Sequence, residues 1–596
     1  MLLGGHVGMD ETGQIGKQAP KCLSLPPMKL PYGISDFARL RRDGYYYQDR
    51  TGYIPVLENL GEPYLFFLRP RRFGKSLWLS VLAHYYGREH AEDFAWLFKG
   101  LAVGEQPTPL ANRYLVLKFD FSRIDTSSRA DTKEGFARNV ISGISQFLLR
   151  YQAMLPGLNP DKILAEADAS TAIQNLFTAL TGSDHRIYLL IDEYDHFTNQ
   201  LIGPDLRHFQ EIVTGTGYVR KFYETIKNAT GDGTVERIFI TGVSPVTLDS
   251  LTSGFNIGAN FSRDASLADM MGFTPQEVEE ILGQIEVAAD TVPEVMQDLR
   301  SWYNGYRFAE EATQSLYNPD MVLYFASAYQ RSRAYPKQML DTNIASDYGR
   351  IRQLFRLGGR EARHFELLQQ LLETREIRTQ ITAQFSFEKT FTDVDFLSLL
   401  YYSGLLTMRG HQLGIPKLAI PNKVIEKLYY DYFGDYLARQ TELRPAELRV
   451  QDAVVEMAEH NDPQPLLQLV SDTLSQLSNR DWMPFNEHTI KSILVSYLHT
   501  SQLYFIQSEA EFDRKYVDLL LLKREPFPAP HQFAFELKYL KKHEAQRLEA
   551  VVSEAKEQLQ GYLQSELLSS LSDLRAWVVV FVGAEVGYVG EVEPEI

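Results

Sequence analysis

Between Pro31 and about Gly283, short apolar runs alternate with stretches whose apolar residues recur at helical spacing. The runs predicted as strands are YLFFLR (64–69), YLVLKFDFS (114–122), IYLLIDEYDHF (187–197) and RIFITGVSP (237–245). After the first run, SLWLSVLAHYYG carries apolar residues at 77, 78, 81 and 82, which predicts a helix. Apolar strands separated by helices indicate a parallel sheet flanked by helices.

The pattern changes twice after this region. From about 284 to 450 it is mostly helical. Within that span, FTDVDFLSLLYYSGLLTM (391–408), a short turn at Arg409–Gly410 and KLAIPNKVIEKLYYDYF predict a helix, a hairpin and a second helix, an order compatible with a winged-helix module. From about 451 to 596 an α/β pattern returns, with strands at YVDLLLLKR, FAFELKYL and WVVVFV. Residues 1–30 lack periodicity, and we interpret them as a mobile tail before segments 31–283, 284–450 and 451–596.

Length and composition narrow the class of protein. The chain has 596 residues, more than one hydrophobic core usually supports, so several domains are expected. Its one cysteine, Cys22, excludes an intrachain disulfide and a Cys-rich metal site, and fits a cytoplasmic location. We expect no membrane association, because no run approaches ~18 apolar residues and the N-terminal sequence lacks a signal-peptide pattern.

A net charge of −17 argues against a protein that coats nucleic acid through a general basic surface. It leaves room for a narrow site where a few cations and a metal meet phosphate. The charge therefore directs attention to local motifs.

RPRRFGKS (69–76) follows the first strand and precedes the helix, where a phosphate-binding loop has the pattern G-x-x-x-x-G-K-[ST]. In such a loop, backbone N–H groups and the helix N-terminus bind phosphate, the lysine neutralises charge, and the hydroxyl ligates Mg²⁺. Arg69 replaces the first glycine, which is tolerable if its φ stays negative, and the arginines add positive potential. The alternative is a basic turn that ends a strand. The candidate nucleotide ligands in this loop are Arg69, Arg72, Phe73, Gly74, Lys75 and Ser76.

An acidic pair follows another apolar strand. Asp192 is expected to hold Mg²⁺, and Glu193 is expected to polarise the attacking water. The alternative is a solvated acidic turn, but the order of strand, loop, helix and acidic strand favours ATP binding. Thr241 and Ser244, at the end of RIFITGVSP, are candidates to sense the γ-phosphate or ordinary strand-end hydroxyls.

A second constellation lies in the C-terminal segment. Glu536 and Lys538 are two residues apart in FAFELKYL, so they share one face of a strand, and Asp518 in KYVDLLLL is expected at the end of a neighbouring strand. Two carboxylates can hold Mg²⁺ or Mn²⁺, which activates water for phosphodiester hydrolysis. The alternative is an ion pair in which Lys538 binds the acids without a metal.

These motifs together resemble a family. PYGISDFARLRRDGYYYQDRT, RPRRFGKS, LLIDEYD, ITGVSP, MGFTPQEV and WYNGYRF…LYNPD are similar to the bacterial AAA-ATPase-like family with a C-terminal PD-(D/E)XK nuclease-type domain. The resemblance covers about residues 28–330 and the C-terminus, and is less clear over 335–450. It implies that arginine at the first loop position is normal, and that the fold is α/β: a P-loop AAA-like domain, a helical or winged-helix-like middle and a restriction-endonuclease-like domain.

The resemblance adds three residues to the second site. Glu487 in NEHTIKSILVSYL resembles the first-helix glutamate of the nuclease superfamily and is a further candidate metal ligand. Gln558 and Tyr562 resemble its Q-x-x-x-Y helix.

The negative charge of the C-terminal segment argues against efficient binding and cleavage of duplex nucleic acid. Residues 451–596 hold 12 Lys/Arg and 23 Asp/Glu, a net charge of −11. We therefore carry two hypotheses: an ATP-regulated, metal-dependent nuclease, and an ATP-dependent switch or scaffold whose nuclease-like domain binds nucleic acid or protein without cleavage. A metabolic kinase fits less well, because no small-substrate domain is evident. ATP is an expected partner and nucleic acid a candidate one. A homo-oligomer is compatible with the sequence.

Overall fold

The computed structural model describes residues 28–165, 168–202, 206–246, 255–341, 351–385, 391–441, 447–477, 486–501, 503–512, 515–524, 527 and 529–593. Most of the predicted N-terminal tail, residues 1–27, lies outside the described residues. Among the described residues, no helix is long and apolar enough to cross a membrane.

The N-terminal region is built on a parallel five-stranded sheet, as the apolar runs predicted. Its strands are β1 (Tyr64–Leu68), β2 (Leu115–Asp120), β3 (Ile187–Asp192), β4 (Val235–Gly242) and β5 (Ala259–Asn260). They lie in the order β2-β3-β4-β1-β5, and each neighbouring pair is parallel. Strand β4 therefore separates β1, which leads into the basic loop, from β3, which ends at the acidic pair.

Helices cover both faces of this sheet. They are α1 (Phe37–Asp43), α2 (Tyr53–Asn59), α3 (Lys75–Tyr86), α4 (Phe94–Leu97), α5 (Ala102–Glu105), α6 (Arg129–Arg150), α7 (Pro160–Ile163), α8 (Ala169–Leu180), α9 (His196–Ile202), α10 (Leu206–Val213), α11 (Tyr218–Gly231) and α12 (Pro275–Gln284). Leu189 and Ile191 of β3 face the core formed with α6, α8 and α11, whereas Tyr188 and Leu190 face the core formed with α3. Burial on both faces explains why the strand is apolar throughout.

The middle region combines helices with a small antiparallel sheet. Its elements are α13 (Val292–Tyr303), α14 (Pro319–Ser332), α15 (Ile351–Phe355), α16 (Glu361–Thr374), β6 (Glu376–Arg378), α17 (Asp393–Tyr402), β7 (Thr407–Gln412), β8 (Ile415–Ala419) and α18 (Lys423–Thr441), with the strands in the order β6-β8-β7. The predicted turn at Arg409–Gly410 is wrong, because both residues lie within β7. The chain reverses at Leu413 and Gly414, whose φ values of 52° and 75° are those of a two-residue hairpin turn. The winged-helix assignment and the domain limits stay predictions.

The C-terminal region is a mixed five-stranded sheet with helices on both faces. Its elements are α19 (Glu447–His460), α20 (Gln464–Leu477), α21 (Glu487–Leu498), β9 (Tyr504–Phe512), β10 (Lys515–Lys523), β11 (Gln532–Leu540), α22 (Leu548–Leu563), α23 (Glu566–Ser569), β12 (Leu574–Val582) and β13 (Glu585–Val592). The strand order is β13-β12-β11-β10-β9, and only β11 and β12 are a parallel pair among the described ladders. A parallel pair needs a crossover, and α22 provides it.

Candidate functional site

The loop between β1 and α3 surrounds the mouth of a cavity of about 490 Å³. Arg72 and Gly74 have φ values of 67° and 89°, whereas Arg69 is not among the residues with positive φ. Arginine at the first loop position is therefore accommodated without strain, as the sequence argument required. Helix α3 begins at Lys75, so its first-turn N–H groups are placed to bind an anion.

Lys75 and Ser76 of this loop face the acidic end of β3. The Lys75 ammonium is 3.6 Å from Glu193 Oε1 and donates to the Pro70 carbonyl at 3.1 Å. Burial, followed by the charge of Glu193, raises the pKa of Asp192 to about 6, and the Ser76 side chain partly offsets this rise. Asp192 Oδ1 is buried and has no hydrogen-bond partner among the described residues. A buried carboxylate oxygen without a donor, beside a serine hydroxyl, fits a divalent cation.

Glu193 is held between two basic groups. Its Oε1 faces Lys75, and its Oε2 is 3.4 Å from His196 Nδ1. Burial acts to raise the pKa of this carboxyl, but Lys75 and His196 outweigh burial and lower it to about 2. Glu193 also has a φ of 52°, an uncommon conformation for this residue type. Backbone strain of this kind concentrates at functional sites.

Apolar and aromatic residues also line the cavity. They are Tyr46, Tyr47, Leu77, Trp78, Val81, Met270, Met271 and Phe273. Arg50 holds two of the contributing segments together, because it donates at 2.7 Å to both Gly272 O and Glu277 Oε2. An apolar and aromatic lining in the same cavity as a phosphate-binding loop suits a nucleobase.

The second constellation assembles on β10, β11 and α21. Lys538 Nζ is 2.6 Å from Glu536 Oε1, 3.8 Å from Asp518 Oδ2 and 3.9 Å from Glu487 Oε2. The described ladder between β10 and β11 ends at Leu519–Phe535, and beyond it Asp518 Oδ2 accepts a hydrogen bond from Leu537 N at 2.8 Å. Asp518 therefore lies inside β10 and not at its end, at the point where the two strands separate.

Glu536 has an electrostatic character unusual for a glutamate. It is 2% exposed, and burial, followed by the charge of Asp518, raises its pKa to about 7. Its Oε1 pairs with Lys538, but its Oε2 is buried without a hydrogen-bond partner in the described part of the chain. Burial acts to lower the pKa of Lys538, but the three carboxylates outweigh it and raise that pKa. In this arrangement the ammonium supplies the positive charge that the acids need.

The fit to a metal differs between the two sites. Over the described ranges, no group of three or more His, Cys, Asp or Glu side chains is gathered closely enough to hold a metal ion. The first site does not require one, because a hydroxyl, one carboxylate and substrate phosphates suffice for Mg²⁺. In the second site, the free oxygen of Glu536 beside Asp518 fits a divalent cation if the Lys538 ammonium shifts.

Comparison with known proteins identifies both regions. Residues 31–252 match the family model described as "Predicted AAA-ATPase", and residues 485–591 match the PD-(D/E)XK nuclease superfamily. The chain therefore carries an AAA-ATPase-like region at 31–252 and a PD-(D/E)XK superfamily region at 485–591. The "Uncharacterized protein in vnfD 5'region" of Azotobacter chroococcum mcd 1 is 32% identical over 303 residues, which are 50% of this chain and 52% of that protein. The chain thus spans about half the length of that relative.

Two solved structures show a weak similarity to the chain. The Walker-type ATPase of Pyrococcus abyssi has a TM-score of 0.34 at 14% identity, over 68% of this chain and 98% of its own. The ORC1 protein of Aeropyrum pernix in complex with DNA has a TM-score of 0.24 at 12% identity, over 68% of this chain and 94% of its own. Similarities of this size do not extend to function.

Most of the predicted ATP ligands line the cavity of the AAA-ATPase-like region, together with the predicted catalytic residue Glu193. The ligands that line it are Arg72, Phe73, Gly74, Lys75, Ser76 and Asp192. The Phe73 ring, however, is 1% exposed and packs edge-on against Tyr306 and Phe308, with centroids 5.0 and 5.2 Å away. Phe73 thus contributes backbone to the loop, and its ring anchors the loop to a distant segment.

Arg69 differs from the expectation that its charge adds to the phosphate site. Its guanidinium is buried outside the cavity, where it donates to the carbonyls of Leu68 at 2.9 Å and Ser262 at 2.7 Å. It also lies 4.1 Å from the ring centroid of Phe67 and 4.3 Å from that of Phe308. Burial lowers its pKa to about 9. Arg69 therefore ties the strand ends together instead of binding ATP.

Thr241 and Ser244 also lie outside the cavity. Thr241 Oγ1 donates to Phe67 O at 2.9 Å, which joins β4 to β1. Ser244 Oγ lies 3.1 Å from Asp195 Oδ2, and that carboxylate also accepts from the backbone N–H of Ser244 at 2.7 Å. Both hydroxyls thus have structural partners, so their role as γ-phosphate sensors is not supported by this geometry.

Sequence reasoning missed several residues that line the cavity. Asp120 ends β2 directly beside Asp192 in the sheet register, just as Asp192 ends β3. An apolar strand that closes on an acid, in YLVLKFD as in IYLLID, was the available signal. Asp320 of the LYNPD motif lies 3.4 Å from Arg72. His196 had no distinguishing spacing, because its contact with Glu193 depends on the local backbone conformation.

In the C-terminal domain the predicted set lies together. Glu487, Asp518, Glu536 and Lys538 share one cluster. Burial, then the charge of Glu536, raises the pKa of Tyr562, so this tyrosine of α22 lies close to the same carboxylates. Gln558 is four residues earlier and shares that face of the helix.

Proposed function

We propose that the protein binds and hydrolyses ATP–Mg²⁺ in the N-terminal cavity and that this ATPase controls metal-dependent cleavage of nucleic acid by the C-terminal domain. The ATPase half rests on the loop, the acidic strand end and the apolar and aromatic lining that meet in one cavity. The nuclease half rests on three carboxylates that lie within 3.9 Å of the Lys538 ammonium. They belong to Glu487 of α21, Asp518 of β10 and Glu536 of β11.

Lys75 links ATP binding to hydrolysis. Without nucleotide its ammonium is shared between Glu193 and Pro70 O, and it holds the carboxyl pKa near 2, which makes Glu193 a weak base. When ATP enters, Lys75 turns towards the phosphate oxygens, and the pKa of Glu193 rises towards that of an effective base. His196 keeps the carboxylate oriented, and Glu193 then accepts a proton from the attacking water. Ser76 and Asp192 would hold Mg²⁺, which offsets phosphate charge.

The proposed C-terminal site also combines carboxylates, a lysine and a divalent metal. Asp518 is fixed by Leu537 N, and Glu536 presents a free oxygen beside it, so these two would hold Mg²⁺ or Mn²⁺. A bound divalent metal supplies a Lewis acid and an activated water. Lys538, released from Glu536, orients the attacking water and stabilises charge on the scissile phosphate. Because the pKa of Glu536 is about 7, a proton must leave this carboxyl before the cation binds.

One segment connects the two sites and supports their coupling. Tyr306 and Phe308 pack against Phe73 of the phosphate-binding loop. Four residues before Tyr306, the centroid of the Trp302 ring lies 5.9 Å from that of Phe505 of β9 and 5.6 Å from the guanidinium carbon of Arg524, which directly follows β10. A shift of the loop on ATP binding therefore has a short packed route to the sheet that carries Asp518.

The free buried oxygen of Glu536 carries the nuclease half of the proposal. The experiment is a cleavage assay on single- and double-stranded DNA and RNA, with Mg²⁺ or Mn²⁺ and with or without ATP. Cleavage that requires both the metal and Asp518, tested with Asp518→Ala, supports the proposal. Asp573→Ala is a matched control, because Asp573 is an exposed aspartate that pairs with Lys523 on the surface.

Two observations favour a second function. Lys538 already pairs with Glu536 Oε1 at 2.6 Å, which supplies a positive charge without a metal. The net charge of residues 451–596 is −11, which disfavours extended duplex binding. Under this alternative the protein is an ATP-dependent switch or scaffold. Absence of cleavage on every substrate, with Mn²⁺ affinity also absent, selects it.

A further inference from the structure

A small cavity of about 90 Å³ lies where α18 and the C-terminal sheet meet. Its lining includes Trp302 of α13, two lysines of α18, Tyr504 of β9 and Arg524, which directly follows β10. It is far smaller than the 490 Å³ cavity at the phosphate-binding loop, so it cannot hold a nucleotide. It has room for a few water molecules or one tetrahedral oxyanion, at roughly 10–15 Å³ per water.

Lys423 is the first residue of α18 and lines this cavity. Its ammonium lies 5.1 Å from the ring centroid of Phe505, and it makes no hydrogen bond or ion pair with any other residue that the structure describes. Burial lowers its pKa, and the charges of Glu426 and Asp298 offset this only in part. A partly buried ammonium without a hydrogen-bond acceptor is stabilised by an anion.

Tyr504 contributes a second hydrogen-bond donor to the lining of this cavity. The residue is 6% exposed, and its hydroxyl is buried without a hydrogen-bond partner among the described residues. A buried phenol normally finds an acceptor. Tyr504 is on β9 and Lys423 is on α18, so an acceptor between them would join two elements that are far apart in sequence.

The remaining charges around the cavity leave it positive. Lys427 is paired with Asp431 at 3.0 Å, and Glu426 is held by Arg375, so these two pairs balance. Arg524 lines the cavity and adds a positive charge, while Asp298, which faces Lys423 and Arg524 from α13, accepts a hydrogen bond from Tyr335 at 2.9 Å. His499 also lines the cavity, and burial keeps its pKa well below the usual value, so it is a neutral donor or acceptor there.

We infer that this cavity binds a single phosphate group, with Lys423, Arg524 and the hydroxyl of Tyr504 as its donors. The phosphate is either free inorganic phosphate or the terminal phosphate of a nucleic acid. Bound there, it bridges α18 to β9 and to Arg524, which directly follows the strand that carries Asp518. The site is separate from the ATP cavity and does not depend on the proposed ATPase or nuclease activity.

The test is a titration of the full-length protein with inorganic phosphate by isothermal calorimetry, in a Lys75→Ala background that removes phosphate binding at the ATP loop. Lys423→Met keeps the aliphatic stem over Phe505 and deletes the charge, and Tyr504→Phe deletes only the hydroxyl. Lys417→Met is the matched control, because Lys417 pairs with Glu376 outside the cavity. A thermal unfolding midpoint without phosphate checks that each variant is folded.

The background protein and the Lys417→Met control are expected to bind phosphate equally. Lys423→Met should weaken binding by about tenfold or more, the loss for one charge-assisted hydrogen bond, and Tyr504→Phe by several-fold. Displacement of phosphate by a 5′-phosphorylated oligonucleotide, and not by its 5′-hydroxyl form, assigns the site to nucleic-acid ends; no displacement by either assigns it to free phosphate. The inference is overturned if the Lys75→Ala protein binds no phosphate, or if Tyr504→Phe and every folded Lys423 variant bind it as tightly as the background.

Discussion

The ATP cavity and the nuclease-type cluster treat their acidic residues in opposite ways. In the cavity, Lys75 and His196 lower the pKa of Glu193 to about 2, while its neighbour Asp192 keeps a raised pKa of about 6. In the C-terminal cluster, one lysine serves three carboxylates, and the pKa of Glu536 stays near 7. The first lysine lines a cavity of about 490 Å³, whereas the second lies among its own three carboxylates. Under the proposed function, Lys75 would therefore leave Glu193 to bind ATP, and Lys538 would leave Glu536 to admit a metal.

The largest expected effect is the loss of ATP binding when Lys75 is replaced. Lys75→Ala should weaken ATP binding by roughly 10²-fold or more, because a buried cation that faces the phosphates is lost. Nucleotide affinity measured by calorimetry checks this, with Lys162→Ala on the exposed surface as the control. Unchanged affinity would contradict the phosphate-loop assignment.

Glu193→Gln should preserve ATP binding and slow hydrolysis by roughly 10²-fold or more, because the amide cannot accept the proton of the attacking water. The measurements are the steady-state ATPase rate and the nucleotide affinity of the same preparation. A wild-type rate would remove Glu193 from the mechanism. Asp195 would not replace it, since its carboxylate is buried under hydrogen bonds from Val243 and Ser244.

The raised pKa of Glu536 predicts a pH dependence of stability without metal. The folded protein binds this proton more tightly than the unfolded chain does, so the stabilisation is complete below the ordinary glutamate pKa and is lost as pH rises through about 7. The loss amounts to a few kcal/mol, on the order of 1.4 kcal/mol per unit of pKa shift.

This loss is measured as the free energy of unfolding of the C-terminal region in urea, in the presence of a metal chelator, from pH 5 to pH 8. Glu536→Gln should flatten the profile, while Glu585→Gln, at an exposed position, should keep the wild-type slope. A profile that stays steep in Glu536→Gln would assign the titration to another group.

The smallest expected effect concerns the connection between the two regions. Trp302→Leu should reduce the effect of ATP on cleavage by several-fold while each basal activity persists, because one aromatic contact contributes about 0.5–1.5 kcal/mol. Trp96→Leu is the matched control, since Trp96 is 40% exposed and is not among the residues that line the cavity. Equal ATP dependence in both variants would show that Trp302 does not transmit the signal.

The two regions also differ in how far sequence alone predicted them. Glu536 and Lys538 share a face because strand residues two apart must do so, and Asp518 joins them through the adjacent strand, so local rules were sufficient. The parallel sheet could also be predicted from local sequence, because strands buried on both faces are apolar throughout.

In the ATP cavity, motif and spacing rules identified only the phosphate-binding loop and the acidic end of β3. Arg69 and Thr241 were assigned to the ligand because they stand beside its motifs, yet their side chains join β1 to neighbouring segments. The apolar and aromatic lining includes residues 46–47 and 270–273, which are distant in sequence, and no spacing rule connects them. The hairpin at Leu413–Gly414 was displaced from its predicted place because a left-handed leucine is not a recognisable turn signal.

The most direct test of the account measures ATP hydrolysis and nucleic-acid cleavage side by side in the wild type, Lys75→Ala and Asp518→Ala. We expect Asp518→Ala to lose cleavage and to hydrolyse ATP at the wild-type rate, and Lys75→Ala to lose hydrolysis together with the ATP dependence of cleavage. Cleavage by Asp518→Ala at the wild-type rate would contradict the C-terminal site, and ATP-dependent cleavage by Lys75→Ala would contradict control by the N-terminal cavity.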